Sequence, residues 1–220
     1  ITGMHAPAEA DAFLVYGERG LATVVSALDG STRATLAVGE RTVTHGWLLA
    51  GAGRCVLATE DGRIHVVDAR SGTVELEFDS GSAPVAALAI HEAARRIATG
   101  GTDRTIRLFD LDSGRRLHES STWQGLERGL DPLGRISDVH FDAKGARLLA
   151  ACEDQAVRVF DCEHGFAETS IVMATPGEFA ISSDGRRILV GSRWLGRIGC
   201  YDLATRKPVP EGLTIAHSNL

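Results

Sequence analysis

Apolar and polar residues alternate over short stretches of this chain and do not recur every three or four positions. Ile106-Arg107-Leu108-Phe109 points residues by turns to two faces. Asp112-Ser113-Gly114 then supplies turn chemistry and a place for positive φ, after which Arg115 to Glu119 can return as another strand. Upstream, Val85 to Ile90 and Arg96 to Gly100 read as two more short strands, giving four in succession. No window sustains apolarity at i, i+3, i+4 and i+7, and glycines interrupt every helical candidate, so the expectation is an all-β protein.

The four-strand pattern repeats. Val66-Val67-Asp68-Ala69-Arg70-Ser71-Gly72, Arg107-Leu108-Phe109-Asp110-Leu111-Asp112-Ser113-Gly114 and Arg158-Val159-Phe160-Asp161-Cys162-Glu163-His164-Gly165 overlay without gaps; Val24 to Gly30 and Gly199 to Leu203 extend the series. With Ser26, Asp68, Asp110, Asp161 and Asp202 taken as equivalent, the spacings are 42, 42, 51 and 41 residues. Glycine follows four residues later at Gly30, Gly72, Gly114 and Gly165, while the fifth copy has Arg206 there. A repeat of about 40 to 45 residues with four strands, here called a to d, is the sequence signature of a β-propeller blade.

The stretch RRIATGGTDRTIRLFDLDSGRRL resembles strand b, the tight turn and strand c of the WD40 repeat proteins. Phe109-Asp110 stands where that family has Trp-Asp, with Val67-Asp68, Phe160-Asp161 and Tyr201-Asp202 as counterparts. The resemblance implies a buried structural Asp in the turn between strands b and c. It falls on Asp61, Asp103 and Asp154, where a carboxylate can accept backbone N–H bonds and fix the hairpin register. The fifth copy departs with Leu195 and the first with Arg19, and no copy carries the family's Gly-His dipeptide, although His45 and His217 lie in comparable places. The fold implied is all-β, a propeller of four-stranded WD40-type blades in one domain over residues 1–220. About five blades are present, closing near Ser26, Asp68, Asp110, Asp161 and Asp202, and residues 213–220 approach a further blade. Since the family most often closes with seven, the domain is expected to be incomplete by about two blades, and the start at Ile1 points the same way.

Composition narrows the function. Hydrophobic residues make up 44% and charged residues 24% of the chain, which is ordinary for a folded globular protein. No apolar run approaches the roughly 20 residues of a membrane helix, and no secretory leader is visible, so no membrane partner is expected. The net charge of -6 and the scattered arginines resemble no phosphate-tracking stripe, so nucleic acid is not an expected direct partner. Cys55, Cys152, Cys162 and Cys200 show no metal-ligand spacing and sit in apolar runs, reading as buried free thiols of a cytoplasmic or nuclear protein.

Catalytic signals are weak. Histidines such as His65 and His140 occupy single strand positions, Gly51-Ala52-Gly53 leads into a strand and not a helix, and no Gly-x-Ser-x-Gly occurs. No catalytic, metal or cofactor site is expected. The irregular segments are more informative. The 51-residue spacing holds an insertion with Trp123, Leu126, Arg128 and Leu130, and the b to c turn of the last copy holds Arg193, Trp194 and Arg197. Strand parity puts both on one rim and on neighbouring blades, where Trp and Arg can form a protein-binding patch; Trp47 is expected in the core. The function expected is a non-catalytic scaffold binding other proteins in a complex. Two alternatives remain. The segments FLVYGERGLATVVSALDG and HGWLLAGAGRCVLATEDGRIHVVDARSG resemble a transducin-beta-like subunit of the small-subunit ribosome-processing complex, implying an RNA-associated assembly, and the rim patch could instead read a peptide or RNA.

Overall fold

The computed structural model of the protein describes residues 1–7, 11–81, 84–121, 136–152, 156–166, 168–172, 179–182, 184, 186–191, 198–205 and 207–209. Among these, the only helical piece is a single 3-10 turn at Ala50–Ala52; the rest is strand and turn. The strands form five antiparallel sheets, each built from strands consecutive in the chain. The first sheet contains β1 (Gly3–His5), β2 (Ala12–Tyr16), β3 (Leu21–Ser26) and β4 (Thr32–Ala37). The second contains β5 (Val43–Leu48), β6 (Arg54–Thr59), β7 (Arg63–Asp68) and β8 (Val74–Asp79). The third contains β9 (Val85–His91), β10 (Arg96–Gly101), β11 (Thr105–Asp110) and β12 (Arg116–Ser121). The fourth contains β13 (Ile136–Phe141), β14 (Arg147–Cys152), β15 (Ala156–Asp161) and β16 (Glu168–Val172). The fifth contains β17 (Phe179–Ile181), β18 (Arg187–Gly191) and β19 (Ile198–Asp202). The four-strand unit expected from the sequence is thus present, and strand c of every copy ends on the residue chosen to mark it.

Local geometry repeats with the sheets. In the first three, the c to d pairing shifts register one step before strand c ends, between Val24 and Val25, Val66 and Val67, and Leu108 and Phe109. Such a bulge sharpens twist and turns the outer strand away from its neighbour. The turn glycines Gly30, Gly72, Gly114 and Gly165 all have φ between 65° and 76°, a region that glycine enters without a Cβ clash.

The inner strands of the second, third and fourth sheets bury both faces, which explains their nearly continuous apolar runs. On β6, Cys55 and Leu57 pack back on Leu14, Val24 and Leu36, while Val56 and Ala58 pack forward on Val85, Ile97 and Phe109. The third and fourth sheets meet through Ala98, Ile106 and Leu108 against Ile136, Leu148 and Phe160. Leu149, Ala151 and Val157 meet Phe179, Ile188 and Val190 of the fifth sheet. Two glycines set how closely sheets approach: a Cβ on Gly46 would lie 2.5 Å from the Tyr16 ring, and one on Gly100 would lie 2.4 Å from Ile136 Cγ2.

Two expectations need correction. Cys55, Cys152 and Cys162 are buried free thiols, but Cys200 is half-exposed, because its face of the fifth sheet has no neighbouring sheet among the described residues. Trp47 is only half-buried; it packs at the margin of the core, with the His5 ring stacked 4.1 Å away.

Candidate functional site

The six residues of the sequence-derived rim patch, Trp123, Leu126, Arg128, Arg193, Trp194 and Arg197, lie outside the described residues, as does Asp154. The described residues that flank the first loop are Ser121, the end of β12, and Ile136, the start of β13. The described residues that flank the second loop are Gly191, the end of β18, and Ile198, the start of β19.

The other two turn carboxylates, Asp61 and Asp103, are exposed and not buried as expected, because they sit at the tips of tight turns, and they bond within their own hairpins. Asp61 Oδ1 accepts the Thr59 hydroxyl at 2.6 Å, which together with backbone contacts holds its pKa below the usual carboxylate range. Asp103 Oδ1 accepts the Thr105 N–H at 3.1 Å, and its Oδ2 accepts Arg107 Nη2 at 2.6 Å. Arg107 is buried on β11 opposite Thr99 of β10, and its Nε reaches Glu119 Oε2 at 3.3 Å. The guanidinium therefore ties the b to c turn to strand d. The corresponding residue on β7 is His65, also buried, with Nδ1 3.7 Å from Glu77 Oε2. Burial lowers the His65 pKa, and the Glu77 charge only partly opposes this.

The carboxylates that close strand c have a sharper task than the sequence reading gave them. Asp68 Oδ1 accepts N–H bonds from Arg70 and Ser71 and the Ser71 hydroxyl, at 3.0, 2.7 and 2.8 Å. Asp110 does the same with Asp112 and Ser113, Asp161 with the N–H groups of Glu163 and His164, and Asp202 with Ala204 and Thr205. In the first copy Ser26 accepts the Leu28 N–H, and Asp29 takes over as acceptor for the N–H and hydroxyl of Ser31, which pulls the Asp29 pKa down to about 2. Each c to d turn is thus a side-chain-capped loop. In the second, third and fifth copies the signal was present as Asp-x-x-Ser or Asp-x-x-Thr, the residue types that bond their own backbone two or three positions on.

The next backbone N–H ties this turn to the a to b loop of its own sheet. Ala27 donates to Asp11, Ala69 to Gly53, Leu111 to Arg95, Cys162 to Ala146 and Leu203 to Arg186, all between 2.7 and 2.9 Å. The a to b loops and c to d turns therefore share one rim in all five sheets. Two grooves open on it. One, of about 450 Å³ between the second and third sheets, is lined by Leu49, Gly53, Arg54, Arg70, Glu75 and Arg95 among others. The other, of about 550 Å³ between the fourth and fifth, is lined by Lys144, Arg147, Asp184, Arg186, Asp202 and Ala204 among others. In the first groove Arg54 pairs with Glu75 at 2.8 Å and reaches Asp112 at 3.7 Å, while Arg95 pairs with the same Asp112.

No cluster of three or more potential metal ligands occurs among the described residues, and no helix among them is long and apolar enough to cross a membrane. Residues 72–110, spanning the d strand of the second sheet through the c strand of the third, match the family model of the WD domain, G-beta repeat. Over these residues the repeat seen in the sequence matches a WD40 repeat. No curated protein matches the chain.

Proposed function

We infer that the protein is a WD40-type β-propeller, or most of one, working as a non-catalytic platform on which other proteins assemble. The observation that carries this reading is the fivefold reuse of one sheet unit whose repeated turn chemistry is spent internally. Asp68, Asp110, Asp161 and Asp202 bond their own turns, and each turn is bonded to the adjacent loop. Carboxylates committed in this way frame a surface and are not themselves poised for reaction. Loops held so firmly lose little ordering entropy when a partner binds, which favours recognition by rigid presentation.

Partner contact is assigned to the rim formed by Trp123, Leu126, Arg128, Arg193, Trp194 and Arg197, because Trp and Arg are enriched among residues that dominate binding energy. The free state of all four cysteines is in keeping with a reducing compartment, cytoplasm or nucleus. The test is reciprocal affinity purification of the full-length protein and of Trp123→Ala/Trp194→Ala. Loss of the same partners in both directions, with the melting temperature nearly unchanged, supports the reading. Partner loss accompanied by a large drop in melting temperature assigns the tryptophans to loop anchoring and removes the patch. A salt-sensitive shift of RNA by the purified protein would move the function to RNA reading.

A further inference from the structure

The two rim grooves differ in one carboxylate. Arg54 and Arg147 are counterparts, each the first residue of strand b and each paired in register with its closing Asp, Asp68 or Asp161. Arg95 and Arg186 are counterparts too, since each offers its carbonyl to the N–H just after the closing Asp of its sheet. In the groove between the second and third sheets, Arg54 and Arg95 converge from neighbouring sheets on Asp112, two residues after Asp110. The residue two after Asp202 is Ala204, which lines the groove between the fourth and fifth sheets beside Arg147 and Arg186.

The consequence is a pair of guanidinium groups without the carboxylate that their counterparts share. Among the described residues neither Arg147 nor Arg186 forms an ion pair, and neither does Lys144 at the same groove. The acidic side chains described at this groove do not replace it. Asp142 Oδ1 accepts the Arg147 N–H at 3.1 Å, Asp184 Oδ1 the Arg186 N–H at 3.0 Å, and Asp202 Oδ1 caps its own turn. The Ser182 hydroxyl, then the Arg186 N–H and the charges of Arg186 and Arg187, lower the Asp184 pKa, and the Thr205 N–H and hydroxyl lower that of Asp202.

We propose that the groove between the fourth and fifth sheets binds an acidic peptide segment of a partner protein, whose Asp or Glu carboxylate sits between Arg147 and Arg186 where Asp112 sits between Arg54 and Arg95. Arg is the residue suited to this, because its planar fork matches a carboxylate in two parallel bonds. Lys144 adds a third positive charge for a neighbouring acidic residue, and a groove of about 550 Å³ accommodates an extended segment of several residues. The inference rests on the scaffold reading and adds a contact apart from the Trp123 and Trp194 patch.

The test is fluorescence anisotropy with the labelled peptide Gly-Ser-Glu-Asp-Glu-Ser-Gly, its Gln-Asn-Gln analogue as control, at low ionic strength. The acidic peptide is expected to bind the native chain and the analogue to bind at least about tenfold more weakly. Arg147→Gln/Arg186→Gln should weaken acidic-peptide binding about tenfold. Ala204→Asp should do the same while leaving the melting temperature unchanged or raised, because it restores the internal carboxylate. Failure of the acidic peptide to bind, equal binding of the analogue, or binding indifferent to Ala204→Asp would overturn the proposal. Displacement of the peptide by inorganic phosphate at the same concentration as by free acidic peptide would also overturn it, in favour of a general oxyanion site. Since none of these variants touches Trp123 or Trp194, a negative result here leaves the partner-capture test of the scaffold standing on its own.

Discussion

At the scale of single residues, the protein is organised by side chains that satisfy nearby backbone. Asp110 Oδ1 takes two N–H groups and a hydroxyl from a turn that has no strand partner for them. Asp110→Ala leaves those donors to solvent and frees the turn, so melting temperature should fall; Asp110→Asn keeps an acceptor oxygen and should retain most of it. Titration separates two groups of residues. Asp68, Asp110, Asp161 and Asp202 have folded-state pKa values lowered by turn donors. The stability they lend is complete above their unfolded value of about 3.9 and disappears as pH falls through the folded values. His5, His45 and His65 are instead lowered chiefly by burial, and His5 Nδ1 must be unprotonated to accept the Leu48 N–H at 3.1 Å. Their contribution is complete above about pH 6.5 and is lost as pH falls below it. Melting curves should therefore show a decline that begins between pH 7 and 5 and a second below pH 4. His5→Phe, which keeps a ring on Trp47, and His65→Leu should flatten the first decline only; an unchanged slope in both variants would refute this account. Much of this scale is legible in the sequence, because Asp-x-x-Ser and its relatives state their hydrogen bonds locally. The gap at Ala204 is not, because Asp112 gains its meaning only when Arg54 of another sheet arrives beside it.

At the scale of elements, strands were the easiest features to read and their contacts the hardest. Alternation and turn chemistry located the end of strand c in every copy, and strand d in the third to within a residue or two, since a period of two and a positive φ are properties of short stretches. Which face of β6 meets which neighbour is invisible locally, because both faces are apolar and nothing in Arg54-Cys55-Val56-Leu57-Ala58 distinguishes them. The packing glycines show the same divide. Gly100 reads as an interruption in a strand, yet it is the place where β10 receives Ile136 of β13. Gly100→Ala should cost about 1–3 kcal/mol through overpacking, and Gly100→Ala/Ile136→Val should recover part of it. Gly114→Ala should be worse, since its Cβ would lie 2.6 Å from Phe78 and its φ of 65° disfavours any side chain. Gly30→Ala, with φ 72° but open space around it, isolates the backbone part of that cost. Chemical denaturation of the four variants should rank Gly114→Ala lowest.

At the scale of the whole molecule, every internal sheet uses both faces, and among the described residues the first and fifth sheets do not. Leu14, Val56, Ala98 and Leu149 occupy one position on successive b strands, all 0% exposed against the following sheet; the fifth member of the series, Leu189, is 44% exposed. In register beside it lie Ala180 and Cys200, so the apolar row continues across the sheet. The first sheet mirrors this, with Phe13, Val15 and Val25 half-buried where Cys55, Leu57 and Val67 are completely buried, and with Met4 71% exposed opposite Val15. Closing a Leu-sized contact contributes about 1.5–3 kcal/mol, so two such faces together hold a substantial driving force for burial. Unpartnered sheet faces of this kind in a stacked-repeat protein call for another unit or lead to association. The 220-residue chain expressed alone should accordingly sediment with a weight-average mass that rises with concentration. Leu189→Lys should suppress that rise while leaving the circular dichroism spectrum of the sheets intact, because the residue supports no internal contact comparable to that of Leu149. A single monomeric boundary at all concentrations, with one cooperative melting transition, would show that the end faces are satisfied within the chain itself and would count against an unfinished ring.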